Sequence, residues 1–166
     1  MSTTKPLDGI KVIEISTIIT ASLSAMMLSD QGAEVIKIEQ TGFGDPLRYL
    51  GTQKGGISAI FANTNRGKKS IELDLKTESD LDRAKKLISE ADVLINNFRP
   101  GVMDSLGLGK EDCKALNKNL IYVAITGFGK EGPYANAPAY DHVVQAMSGS
   151  TAVSYTHLRA HETSQH

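Results

Sequence analysis

Asn96, Asn97, Phe98 and Arg99 close an apolar run that begins after Asp92, and Pro100 and Gly101 then turn the chain. Two amides beside an aromatic ring suit recognition of a base or another planar group. A second apolar run ends at Ile125, and Gly127, Gly129 and Gly132 follow it. Glycines at that density let backbone N–H groups come close to a ligand. Tyr140 and Asp141 stand just beyond, at an expected helix start, where an acid either caps the helix or serves a site. A further candidate lies nearer the N-terminus. Ser16 and Thr17 end an apolar run, and Thr20-Ala-Ser22 opens a helix. Free N–H groups there can receive a phosphate; the alternative is a plain capped helix. Arg66, Lys68 and Lys69 form a small basic cluster, with Lys76 further on. Such ammonium groups bind phosphate as point charges, unless the cluster is only a solvated surface.

Other patterns carry less. Gly42-Phe-Gly44 lacks the third glycine and the following helix of a dinucleotide fingerprint, and no Walker pattern occurs. His157 and His161 are four apart, as two metal ligands on one helical face would be. Three of the 4 histidines fall in the last ten residues with no carboxylate cluster, so no metal site is expected.

These residues need elements to place them. Lys11 to Ile15 and Glu34 to Ile38 read as strands, and Thr20 to Asp30 between them as a helix. Gly32 supplies the left-handed backbone that ends this helix. The three form a βαβ unit with a parallel strand pair. Glycine-rich residues Gln40 to about Gly56 read as a loop, and Ser70 to Leu75 as a strand. Glu78 to Ala91 has helical spacing of apolar and small residues, with Thr77 at the N-cap position. Asp92 to Asn96 and Leu120 to Ile125 are further strands. Val102 to Leu106, Lys110 to Leu116 and the residues from about Tyr140 to Met147 are short helices. Strand and helix alternate throughout. The fold class is therefore α/β, Rossmann-like, with a mostly parallel sheet and helices on both faces. Ligands of such sheets bind beyond the carboxyl ends of the strands, where the candidates above lie.

The 166 residues suffice for one domain with a sizeable core. A formal net charge of -1 gives no global field toward nucleic acid or an anionic membrane. No run approaches the roughly 20 apolar residues of a membrane span. The N-terminus has no apolar core of a signal peptide, and the single cysteine, Cys113, fits a packing role in a reducing cytoplasm.

Six motifs occur in order. They are Leu7-Asp-Gly-Ile-Lys-Val12, Gly32-Ala-Glu-Val-Ile-Lys-Ile-Glu39, Gly44-Asp45 with Arg48, and Asn65 with Lys68-Lys-Ser70. Asn97-Phe-Arg-Pro-Gly101 follows, then Thr126-Gly-Phe-Gly129 with Gly132-Pro-Tyr134. From about Leu7 to Gly149 the chain resembles the N-terminal half of class III CoA-transferases, the CaiB/BaiF family. That family includes formyl-CoA transferase, carnitine CoA-transferase and the α-methylacyl-CoA racemases.

The resemblance implies an enzyme that moves CoA from an acyl-CoA to a free carboxylic acid. An aspartate attacks the thioester, giving a mixed anhydride and then an aspartyl-CoA thioester. It also implies a second, smaller domain and an interlocked homodimer. The CoA thioester is substrate, and no permanently bound cofactor is implied. By the same resemblance Ile19, Thr20, Gln40, Leu73, Lys76, Asn97, Phe98 and Leu106 contact CoA. Many members carry Gly-Pro where this chain has Ala21-Ser22. Racemases have His-Asp where this chain has Tyr140-Asp141, which favours a transferase. Asp141 matches a supporting acid, with Tyr140 beside it. A racemase, or a non-catalytic nucleotide-binding module, is the alternative. The family's nucleophilic aspartate belongs to a later segment not found here. Residues 1–152 thus read as the N-terminal part of the large domain, inactive alone. Residues 153–166 depart from the family pattern and resemble translated sequencing-adapter read-through.

Overall fold

Strand β1 (Lys11–Ile15) and strand β2 (Glu34–Glu39) flank helix α1 (Thr20–Asp30), as the sequence indicates. β-branched Val12, Ile13, Ile15, Val35, Ile36 and Ile38 suit the pleated, buried surface of both strands. The end of α1 is a Schellman motif. The Ala33 N–H reaches Leu28 O at 3.1 Å and the Gly32 N–H reaches Ser29 O at 3.0 Å. Gly32 takes φ 109° there, and a Cβ on it would stand 2.6 Å from Asp8 Oδ1.

The computed structural model describes residues 4–150. They fall into two compact units, divided after Ile125. In the first unit, β5 (Lys69–Glu72), β6 (Val93–Asn96) and β7 (Ile121–Ala124) complete a sheet of order β5-β2-β1-β6-β7. Every pairing in it is parallel. Helices α3 (Glu78–Ser89), α4 (Val102–Ser105) and α5 (Lys110–Leu116) cover one face. There Ile13, Ile15, Ile38 and Leu94 pack with Ala84, Ile88, Met103 and Cys113. Helix α1 covers the other face, setting Ala21 and Ala25 against Val12, Val35 and Ile95. The α/β class with helices on both faces is therefore present as expected.

The stretch Gln40 to Gly56 is not a bare loop. It holds a 3-10 turn (Pro46–Tyr49) and β3 (Gln53–Lys54), which pairs antiparallel with β4 (Ile57–Ser58). Gly55 and Gly56 both have positive φ, as a two-residue hairpin turn requires. Helix α2 (Ala59–Asn65) follows, capped by the Ser58 hydroxyl accepting from the Phe61 N–H. The expected strand Ser70 to Leu75 is shorter and starts earlier. Its ladder ends when the Leu73 N–H bonds Glu39 O, and Asp74 then begins a turn. The second unit holds α6 (Asp141–Met147). His157 and His161, and the segment from Val153, lie outside the described residues.

Candidate functional site

The strand order reverses at β1, whose neighbours are β2 and β6, and a crevice opens beyond the strand ends at such a point. A cavity of about 480 Å³ lies beside it, beyond the ends of β1, β2 and β5, with Phe98 reaching it from past β6. Ile15, Ile38, Leu73, Leu75, Phe98 and Leu106 supply its apolar lining. Ser16, Thr17, Gln40, Thr41, Asp74 and Lys76 supply polar groups, with Glu39 and Asp45 deeper. An apolar cavity with a few placed polar groups is the form a small-molecule site takes.

Of the sequence candidates, Gln40, Leu73, Lys76, Phe98 and Leu106 line this cavity. Asn97 stands beside it and grips the β1–α1 loop. Its Oδ1 accepts from the Thr17 N–H at 3.0 Å, and its Nδ2 donates to Thr17 O at 2.7 Å. The same Nδ2 reaches Thr20 Oγ1 at 3.0 Å. Ile19 and Thr20 open α1 with exposed side chains and do not line the cavity. Tyr140 and Asp141 belong to the second unit. Tyr140 is the N-cap of α6 without a side-chain cap bond, and Asp141 Oδ2 accepts from Gln145 Nε2 at 2.6 Å.

The basic residues Arg66, Lys68 and Lys69 are each held in an ion pair, and Lys68 shares its acid with Lys37. Arg66 pairs with Asp30, Lys69 with Glu34, and Lys68 with Glu14 at 2.6 Å. The Lys68 side chain is nearly buried, so a solvated surface is no description of it either.

Sequence reasoning missed a buried ionic layer on the α1 side of the sheet. Glu14 and Lys37 stand directly opposite in the β1–β2 register, both buried, with 2.6 Å between them. Asp45 approaches the same ammonium at 2.9 Å, off hydrogen-bond geometry. The Ser16 and Ser22 hydroxyls bond into the group. Glu39 is held on both oxygens. Arg48 donates to each, while the Ser70 hydroxyl and the Asp45 N–H add one bond apiece. Arg48 also stacks over the Phe61 ring at 4.0 Å.

Charge balance sets the titration of this layer. Burial alone would raise the Glu14 carboxyl, but Lys37 and Lys68 outweigh it and hold it below the ordinary value. Burial likewise works against Glu39, and the bonds from Arg48, Ser70 and the Asp45 N–H overcome it, holding the carboxyl down to about 2. At Lys68 burial wins over the pull of Glu14 and lowers the ammonium. On the opposite face, burial with nearby Asp112 pushes the Cys113 thiol up to about 11, which suits packing rather than reaction. Of the three cavity carboxylates, Glu39 is paired with Arg48 and Asp45 with Lys37, while Asp74 is exposed and accepts from the Lys76 N–H at 3.0 Å. Glu39, held down to about 2, is a poor nucleophile and a poor base.

A parallel α/β sheet with a cavity beside the point where its strand order reverses defines a ligand-binding unit of the Rossmann-like class. The chain belongs to CoA-transferase family III, whose model matches residues 7–163 and so runs into the segment from Val153. It is 46% identical over 144 residues to an acetyl-CoA:oxalate CoA-transferase of Acetobacter aceti, covering 87% of this chain and 37% of that protein. A human succinyl-CoA:glutarate CoA-transferase is 37% identical over 150 residues, covering 90% of this chain and 34% of its own length. A CaiB/BaiF family protein from Brucella suis superposes with a TM-score of 0.84 at 43% identity, covering 89% of this chain and 40% of that one. The chain thus spans a little over a third of the length of these relatives. Among the described residues no helix is long and apolar enough to cross a membrane, and no cluster suits a metal ion.

Proposed function

We propose that this chain forms the CoA-binding wall of a family III CoA-transferase. The parent enzyme moves CoA from an acyl-CoA thioester to a free carboxylic acid. The observation that carries this reading is the cavity beyond β1, β2 and β5. Its apolar lining suits the pantetheine arm and the base, and Phe98 offers a ring for stacking. Lys76 lies at this cavity and is in no ion pair among the described residues, so its charge is available to a phosphate.

The transfer itself runs through an aspartyl intermediate. A carboxylate attacks the thioester carbonyl and expels the CoA thiolate, leaving a mixed anhydride. The thiolate then attacks the aspartyl carbonyl and releases the donor acid, giving an aspartyl-CoA thioester. The acceptor acid reverses the sequence and leaves with CoA. The cavity carboxylates Glu39 and Asp45 do not suit the first step, because both are already engaged in ion pairs. Asp141 assists, with Tyr140 next to it, and the chain alone binds CoA without transferring it. The parent acts in the cytoplasm as an interlocked homodimer, a reading that rests on the family resemblance.

Calorimetry with CoA, paired with a transfer assay using acetyl-CoA and oxalate or succinyl-CoA and glutarate, tests this. CoA binding that weakens in Lys76→Ala, with no product acyl-CoA, is expected. Absence of CoA binding would overturn the pocket, and turnover by this chain would overturn the inactivity.

A further inference from the structure

Ile18 has φ 64°, the sole positive value at a non-glycine among the described residues. A β-branched side chain crowds its own backbone in that region, so the conformation persists only where other groups hold it. Two side chains from separate elements do so. Asp45, buried between β2 and the 3-10 turn, accepts from the Ile18 N–H through Oδ1 at 3.1 Å. The same oxygen accepts from the Leu47 N–H at 2.9 Å, and Lys37 fixes the carboxylate from the other side. Asn97, just past β6, closes a two-way amide pair on Thr17, the residue before the strained one. Ser16, Thr17 and Asp45 all face the cavity.

A loop that only joined β1 to α1 could relax to negative φ at Ile18 and keep the Glu14–Lys37 pair. The clamp instead fixes the loop at the cavity wall. We infer that Asp45 and Asn97 are positioning residues, which act through the β1–α1 loop and hold Ile18 left-handed so that this wall is preset for the CoA thioester. The identity of that ligand rests on the function proposed above; the clamp itself does not. A preset wall removes an ordering cost from binding.

Glycine enters the left-handed region about as readily as the right-handed one, which gives a rescue test. The full chain is compared with Asp45→Ala, Asn97→Ala, Ile18→Gly and the two double variants. Backbone amide hydrogen exchange is read at residues 17 and 18, and CoA affinity by calorimetry. In Asn97→Ala and Asp45→Ala the two loop amides should exchange at least about tenfold faster while β1 and β6 keep their protection. CoA affinity should fall about tenfold in each, and adding Ile18→Gly should recover at least about threefold of it. Unchanged exchange at both amides would overturn the clamp, whatever CoA does. A loss of affinity that glycine does not recover, with protection lost across the sheet, would reduce both residues to structural parts and also overturn it. If the parent chain binds no CoA, the functional reading falls, and the exchange pattern still decides the clamp. Asp45→Ala leaves Lys37 with one acid fewer, so Asn97→Ala carries the test if that variant does not fold.

Discussion

Glu39 accepts bonds from Arg48, Ser70 and the Asp45 backbone, and each one favours the carboxylate over the protonated acid. Its carboxyl is held near 2 against an ordinary 4.5, so the folded state binds its proton less readily than the unfolded chain. The resulting stability is fully present above about pH 4.5 and is lost as pH falls toward 2. It amounts to on the order of 3 kcal/mol, and Glu14 acts in the same direction. Urea midpoints should therefore drop steeply between about pH 4.5 and 3. Glu39→Gln should lower stability at neutral pH and flatten that limb; a limb as steep as the parent's would contradict this origin. Lys37→Met should cost about 3–5 kcal/mol, because it strips Glu14 and Asp45 of a buried partner. Denaturant titration at neutral pH measures it. None of this layer was legible in the sequence. Within a strand, Glu14 and Lys37 sit at alternate positions that a half-solvated strand would give to polar groups. Their burial follows from the pairing register and from Asp45 folding back out of the loop after β2, and neither shows as periodicity within a strand.

The elements follow local rules more openly. The βαβ unit of β1, α1 and β2 was readable from apolar runs and one glycine, because the Schellman end of α1 needs a residue that tolerates φ 109°. Gly32→Ala should destabilise by more than about 1 kcal/mol, since the backbone is unsuited and the new methyl meets Asp8 and Lys5. A thermal melt unchanged by that substitution would refute the account. Thr77 shows how position and chemistry separate. It stands at the N-cap of α3 as its sequence place indicates, yet its hydroxyl donates to Asp74 O and makes no cap bond. Thr77→Ala should thus stay within about 0.5 kcal/mol of the parent, below the usual cost of losing a cap. The same melts, compared at equal concentration, give the value. Helix α2 and the β3–β4 hairpin were hidden by the glycines around them. Gly55 and Gly56 read as loop, and only the paired strands reveal a turn. Much of the cavity was legible, because strand ends collect ligands and the family motifs fall there. The left-handed Ile18 was not, since no residue type announces strain imposed by Asp45 and Asn97.

At the scale of the molecule, the two edges of the sheet differ in a way that bears on association. Strand β5 guards its edge with charge, Lys69 pairing with Glu34 and Glu72 accepting from the Gly42 N–H. Strand β7 reads Ile-Tyr-Val-Ala and carries no charge, and Ile121 is 60% exposed. An apolar strand at a sheet edge is a template for pairing with another chain. The α1 surface adds Ile19, Leu23 and Met27, four residues apart and each exposed. These apolar surfaces outweigh the weak self-repulsion expected from a net charge of -1. The chain should therefore associate as concentration rises from a few to about a hundred micromolar, seen as growing weight-average mass in sedimentation equilibrium. Ile121→Lys places a charge on the exposed edge without entering the core, so it should shift that mass toward the monomer while leaving the melt nearly unchanged. Met27→Lys tests the α1 stripe in the same way. If only Met27→Lys restores the monomer, the helix and not the sheet edge drives association. A parent chain that stays monomeric across the range would show that neither surface is sticky enough to matter.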